Sequence, residues 1–336
     1  MHSRAISDPS ARAAAQIAIE QYGGASQLKV REVTLPAPAA GEVRIRHTAI
    51  GVNFVDVYHR TGHYPLPALP AVPGVEAAGI VDAVGPGVDA LQPGQRVVYA
   101  GPPVGSYASA RTMPADRVLA LPDDIDDAVA ASLLLRGMTA HMLCSAVYPV
   151  KAGDTVLIHA AAGGLGLVML QWAKALGARV IGTVGSAAKA ELAVAHGLDE
   201  AILYREQDVV ATVRTLTDGR GVDYAVDGIG GPTLLATLDT VRPFGMIASV
   251  GQVSGDPGPI DLSVLGPGRS VALSRPSVFR YVSDPARYRE AGLATFERLR
   301  SGLKAHIGAV FPLAEAALAH ARLESGDTHG SILLRP

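Results

Sequence analysis

The chain has 336 residues, 49 % hydrophobic and 18 % charged, which is ordinary for a soluble globular protein and long enough for two domains. A net charge of −2 gives no electrostatic drive toward nucleic acid or an anionic membrane surface, and no apolar run reads as a membrane span. The single cysteine, Cys144, excludes an intramolecular disulfide and a four-cysteine zinc site.

Residues 1–15 carry Arg and Ser but no apolar core of a secretory signal, and Asp8 and Pro9 interrupt any amphipathic helix. They read as a loose N-terminal extension of a cytoplasmic protein, with a weak transit-like segment as the alternative. Residues 17–130 are turn-rich and strand-like. Segment 41–47 alternates in side-chain character, as a half-buried strand does. Segment 74–81 runs into the turn Gly85-Pro86-Gly87, and Pro93-Gly94 opens another strand through Tyr99. This first part is mostly β, with the look of a distorted barrel.

From Asp126 helical stretches alternate with short apolar strands, the pattern of a doubly wound parallel sheet. Cys144, in an apolar segment, reads as a small buried core residue. Residues 155–159 form an apolar strand, followed by a Gly-rich turn, an apolar helix and a second strand reaching Thr183. That is a dinucleotide-binding βαβ unit, in which backbone N–H groups at the helix N-terminus hold a pyrophosphate. The candidates are Ala162, Gly163, Gly164, Leu165 and Gly166. The motif lacks its first glycine: Ala161 stands there, ahead of Gly163 and Gly166.

The end of the second strand bears on cofactor choice. NAD sites place a carboxylate there for the ribose hydroxyl. This chain runs from Gly182 through Ser186 to Lys189 with no acid before Glu191. A hydroxyl and an ammonium suit a 2′-phosphate that a carboxylate would repel, so Ser186 and Lys189 are candidate ligands and NADPH is favoured over NADH. Further helices are expected at 187–196, 207–216, 233–241, 285–301 and 314–323. Strands are expected near 201, 222–226, 246–250, 271–273 and 331–334.

Several segments together carry a family resemblance: residues 51–58 (Gly-Val-Asn-Phe-Val-Asp-Val-Tyr), 73–79 (Pro-Gly-Val-Glu-Ala-Ala-Gly), 136–140 (Arg-Gly-Met-Thr-Ala) and the Gly-rich turn. From about Ala18 onward the chain resembles the zinc-free quinone oxidoreductase (zeta-crystallin-like) branch of the medium-chain dehydrogenase/reductases. The resemblance implies an α/β fold: a GroES-like, mostly-β catalytic domain plus a Rossmann cofactor domain with a doubly wound parallel sheet. The implied division is 1–136, 137–278 and a return to the catalytic domain at 279–336, with the active site in the cleft. It also implies a homodimer through the outer strand near Val271.

The same resemblance assigns residues. Tyr58 and Asn53 are the catalytic candidates, and Asn53 and Asp56 line the nicotinamide end. Arg136, Thr139, Gly182, Tyr204 (near the 2′-phosphate), Val250, Gly251, Gln252, Ser274, Arg275, Pro276 and Ser331 are the remaining cofactor contacts. Many relatives have Lys where Arg136 and Ser331 stand. Zinc-dependent relatives read Gly-His-Glu where this chain has Gly74-Val75-Glu76, and valine cannot ligate a metal. His59 and His63 flank Gly62 and read as loop histidines off any helix, so the site is expected to be metal-free. Without a Lewis acid, an already electrophilic acceptor is the fitting substrate. The expected activity is NADPH:quinone oxidoreduction. The alternative is reduction of enone or alkenal double bonds, and a lesser one is an NADPH-binding structural or RNA-binding protein.

Overall fold

The computed structural model describes residues 11–336. Two compact units divide the chain: one ends at Leu135 and resumes from Ile307 to Pro336, and the other is Arg136–His306. The return to the first unit therefore comes at Ile307, not at 279. Packing explains the difference. A Cβ at Gly137 would meet Thr295 at 2.4 Å, Gln171 exchanges hydrogen bonds with the backbone of Lys304, and Arg298 lies 5.2 Å over the Trp172 ring. These contacts tie 285–304 to the second unit.

The first unit begins with β1 (Arg12–Ala18), β2 (Lys29–Leu35), β3 (Glu42–Val52) and α1 (Phe54–Thr61). It continues with β4 (Glu76–Val84), β5 (Arg96–Ala100), β6 (Ala110–Pro114) and β7 (Leu119–Ala120). The extension expected over 1–15 lies mostly outside the described residues, and 12–15 are already strand, paired antiparallel with β2. Helix α2 (Asp127–His141) contains the division between units.

The second unit holds β8 (Thr155–Ile158), α3 (Gly164–Ala175), β9 (Arg179–Val184), α4 (Ala187–Ala195), β10 (Glu200–Leu203) and α5 (Val209–Leu216). It goes on through β11 (Val222–Asp227), α6 (Gly231–Leu238), β12 (Val241–Ser249), β13 (Ala272–Ser274), α7 (Val278–Tyr281) and α8 (Pro285–Arg300). The chain ends back in the first unit with β14 (Ile307–Pro312), α9 (Ala316–Glu324) and β15 (Ser331–Arg335).

In the first unit one sheet runs β14-β15-β3-β4-β5-β7, with β6 also on β3. Its last strand pairs with its third, Ile332 opposite Val52, so residues near both ends of the chain close one core. Val43, Ile45, Ile50 and Val52 bury their side chains there with Ile332 and Leu334. Each such side chain contributes roughly 1.5–3 kcal/mol relative to exposure. Helix α1 was not expected in this strand-rich stretch. Asn53 caps it, Asp56 accepts the Asn53 N–H at 2.8 Å, and Gly62 ends it in a left-handed conformation.

The second unit is a six-stranded parallel sheet in the order β10-β9-β8-β11-β12-β13. Renumbered within the unit this is 3-2-1-4-5-6, the doubly wound dinucleotide-binding order with its switch point between β8 and β11. Strands buried on both faces read as continuous apolar runs: Val156, Leu157, Ile181, Ala225 and Ile247 are all inaccessible. The helix expected over 233–241 stops at Leu238, and Val241 already belongs to β12. One helical stretch, Asp127–Val147, is long and apolar enough to cross a membrane by length and composition, contrary to the sequence reading. Its most apolar window is 78 % buried inside the fold, which is the setting of a core helix.

Candidate active site

In the second unit the Gly-rich turn leaves β8 through Ala160, a left-handed residue (φ 51°), and Gly163 caps α3. The first N–H groups of a helix lack intrahelical acceptors, no side chain caps this end, and no acid stands in the first turn. An anion is the natural complement. Ala162 and Gly163 lie in this turn, and Gly164, Leu165 and Gly166 open α3. At Gly166 a Cβ would sit 2.2 Å from the Ala160 carbonyl oxygen, so only glycine lets α3 start this close to the turn. His159, buried at the end of β8, is held neutral by desolvation, with its two ring nitrogens 3.0 and 2.8 Å from the Thr183 and Thr237 hydroxyls.

Gly182 packs against this turn. It is buried on β9, where an added Cβ would lie 2.5 Å from the Ala161 methyl. Its part is to make room for the alanine that replaces the motif's first glycine.

Beyond β9, Ser186 caps α4, and its hydroxyl accepts the Lys189 N–H at 3.4 Å. The strand register sets Leu203 beside Val184, which brings Tyr204 next to Gly185. A Cβ at Gly185 would lie 3.0 Å from the Tyr204 hydroxyl. Tyr204 is 50 % exposed, and the Arg205 guanidinium stands 6.0 Å from its ring centroid. Two hydroxyls, a helix N-terminus and a first-turn lysine therefore gather at the ends of β9 and β10. No carboxylate caps this strand end before Glu191.

Val250 follows β12 and donates its N–H to the Asp227 carbonyl at 2.8 Å, with half-buried Gly251 and buried Gln252 next in the chain. The Asp227 carboxylate accepts the N–H groups of Ile229 and Gly230 and so shapes the neighbouring loop. Ser274 pairs with Ala248 at the end of β13, with exposed Arg275 and half-buried Pro276 after it. These segments share the C-terminal ends of adjacent strands, where dinucleotides bind in such sheets. On α2, Arg136 is buried and Thr139 half-buried.

In the first unit Asn53 is buried and donates Nδ2 to Glu76 Oε2 at 2.9 Å. Glu76 Oε1 accepts the Leu135 N–H at 2.6 Å. Glu76 is the partner that the sequence reading missed as a site residue. Its signal was present, since an acid inside an apolar strand must find donors. Tyr58, half-buried on α1, packs its ring 5.2 Å from His63 and 5.1 Å from Tyr64.

Asp56 is wholly buried, with Oδ2 accepting from the Asn53 N–H and the Tyr107 hydroxyl (3.2 Å), and so holds the cap of α1. Ser331 is buried too, and its hydroxyl donates to the Ser132 carbonyl at 3.1 Å. His59 belongs to the last turn of α1, not to a loop; burial pushes its pKa down to about 4. Among the described residues no group of three or more His, Cys, Asp or Glu side chains is gathered as metal ligands would be.

Two domain families match the chain: "Alcohol dehydrogenase GroES-like domain" over residues 39–123 and "Zinc-binding dehydrogenase" over residues 164–291. The zinc in the second description does not fit Gly74-Val75-Glu76, where a fully buried valine has no donor atom. Nor does it fit Cys144, whose thiol burial pushes up to about 12. The 2-haloacrylate reductase of a Burkholderia species is 44 % identical over 329 residues, spanning 95 % of this chain and 98 % of that protein. The quinone oxidoreductase of Pseudomonas aeruginosa is 40 % identical over 324 residues, spanning 96 % and 100 %. The crystal structure of Escherichia coli quinone oxidoreductase complexed with NADPH matches with a TM-score of 0.92 at 40 % identity, covering 96 % of this chain and 100 % of that one.

Proposed function

The chain belongs to the quinone oxidoreductase family of medium-chain dehydrogenase/reductases, and from that premise we propose that it is an NADPH:quinone oxidoreductase. The observation that carries the cofactor is the end of β9: Ser186 and Tyr204 hydroxyls flank Gly185, and Lys189 stands in the first turn of α4. A 2′-phosphate brings negative charge and acceptor oxygens that this set can satisfy. The N–H groups of the Gly163–Gly166 turn take the pyrophosphate.

When bound, NADPH supplies two electrons with a hydrogen from its dihydronicotinamide, and the chain's residues orient and protonate. We assign Asn53 to hold the reacting end of the cofactor. Its amide is oriented by the bond that its NH2 group donates to Glu76 Oε2. Tyr58 is assigned to donate a hydrogen bond or proton to the acceptor oxygen as charge develops there. A quinone thereby gains two electrons and two protons to become a hydroquinone. Val250–Gln252 and Ser274–Pro276 are assigned to flank the nicotinamide, with Arg136 and Thr139 beside them.

A second reading has its own support in the 44 % identical 2-haloacrylate reductase: an activated carbon–carbon double bond as acceptor. The same electron pair would then enter at the β-carbon, with a proton added at the α-carbon. Purified enzyme given NADPH with a simple benzoquinone, and separately with a 2-haloacrylate and a 2-enal, separates the two. Turnover of the alkenes with quinones inert would replace the first reading by the second.

We also propose a soluble cytoplasmic homodimer joined through β13. That strand ends the parallel sheet, and Phe244 on the adjoining β12 and Leu262 before β13 are strongly exposed apolar side chains. A monomeric mass by light scattering at micromolar concentration would contradict it.

A further inference from the structure

A directed hydrogen-bond chain runs through the interior of the first unit from α9 to the start of α1. Glu324 accepts both terminal nitrogens of Arg60 at 2.8 Å. Arg60 Nη1 also lies 3.3 Å from His320 Nδ1. The Tyr107 hydroxyl is 2.9 Å from His320 Nε2 and 3.2 Å from Asp56 Oδ2. Asp56 Oδ2 in turn accepts the Asn53 N–H at 2.8 Å. Arg60, Tyr107, His320, Asp56 and Asn53 are all buried.

The proton positions follow from donor chemistry. A guanidinium can only donate, so His320 Nδ1 accepts and the ring proton sits on Nε2. Nε2–H therefore donates to the Tyr107 oxygen, which leaves the Tyr107 O–H for the Asp56 carboxylate. Burial and the Arg60 charge push the His320 pKa down to about 3, which keeps the imidazole neutral as this direction requires.

A helix cap needs only Asp56. The additional buried Tyr107, His320 and Arg60 groups each carry a desolvation cost that an apolar core would avoid, and such networks are most useful where they fix one geometry. Glu76 holds the Asn53 amide from the other side. We infer that Tyr107 and His320 are positioning residues for Asn53, fixing its backbone through Asp56 so that its side chain is presented to the cofactor in a single orientation. This rests on the assignment of Asn53 made above.

The test is a double-mutant cycle between Tyr107→Phe and Asn53→Ala. It is read as NADPH affinity by nicotinamide fluorescence and as kcat against KM with benzoquinone. Asn53→Ala keeps the backbone N–H that Asp56 accepts, and Tyr107→Phe removes one oxygen. The expected result is a loss of about fivefold in NADPH affinity for Tyr107→Phe in the wild-type background and almost none in the Asn53→Ala background. Equal losses in both backgrounds would overturn the inference and leave the Asn53 assignment standing. An Asn53→Ala enzyme indistinguishable from wild type would sink that assignment and this inference with it. Should Tyr107→Phe fail to fold, His320→Gln, which retains an N–H donor, against His320→Leu supplies the same cycle. Affinity preserved in the glutamine variant and lost in the leucine variant, only while Asn53 is present, is the supporting outcome. Equal behaviour of the two variants overturns it.

Discussion

Gly182 lies against Ala161: a Cβ on the β9 glycine would come within 2.5 Å of the methyl that replaces the first glycine of the nucleotide-binding motif. The two positions therefore behave as one unit. Gly182→Ala should weaken NADPH binding and cost about 1–3 kcal/mol of stability through overpacking. Adding Ala161→Gly should restore most of both. Urea unfolding with NADPH titration of the single and double variants checks this, and a double variant no better than Gly182→Ala alone would refute the coupling.

The phosphate assignment predicts a cofactor-specific loss. Lys189→Glu replaces a cation by an anion in the first turn of α4 and should cost NADPH at least about tenfold in kcat/KM, or roughly 1.4 kcal/mol, with NADH little changed. Tyr204→Phe should act in the same direction, more weakly. Parallel losses for both cofactors would remove these residues from the 2′-phosphate site.

Chemistry at Tyr58 separates from binding. Tyr58→Phe removes the O–H and keeps the ring contacts with His63 and Tyr64. If the hydroxyl serves the acceptor oxygen, kcat should fall by about tenfold or more with NADPH affinity held. An unchanged kcat would return Tyr58 to packing.

Acid stability follows from buried imidazoles. His47 and His59 have pKa values pushed by burial from 6.5 to about 4, and burial beside Arg60 pushes that of His320 to about 3. Below pH 6.5 the unfolded chain takes up protons that the folded one refuses. Stability is therefore fully present above 6.5 and lost as pH falls toward 4. Each histidine should contribute a loss of about 2 kcal/mol between pH 7 and 5. Chemical denaturation at those two pH values measures it, and equal midpoints would show that the imidazoles are not buried neutral.

What the sequence disclosed depended on how local the determinant is. The Gly-rich turn reads directly because its strand, glycines and helix are contiguous and each answers a local backbone requirement. The alternation of helices and apolar runs likewise gives the doubly wound sheet. Helix α1 is harder to see: Phe54–Thr61 mixes aromatic and β-branched residues, and its cap joins Asn53 to a carboxylate three positions on. The Ser331 hydroxyl donates to a carbonyl 199 residues away. Tyr107 and His320 meet across 213 residues, and only the folded sheet brings them together. The boundary at Ile307 escaped for the same reason, since α8 is held by Gly137 and Trp172, far upstream.

The most direct test is steady-state oxidation of NADPH and of NADH by purified enzyme with benzoquinone as acceptor, followed by nicotinamide absorbance in the presence of a metal chelator. The predicted result is quinone-dependent NADPH consumption that survives the chelator, with kcat/KM at least about tenfold above that for NADH. No quinone-dependent consumption, an equal rate with NADH, or loss of activity to the chelator would contradict it.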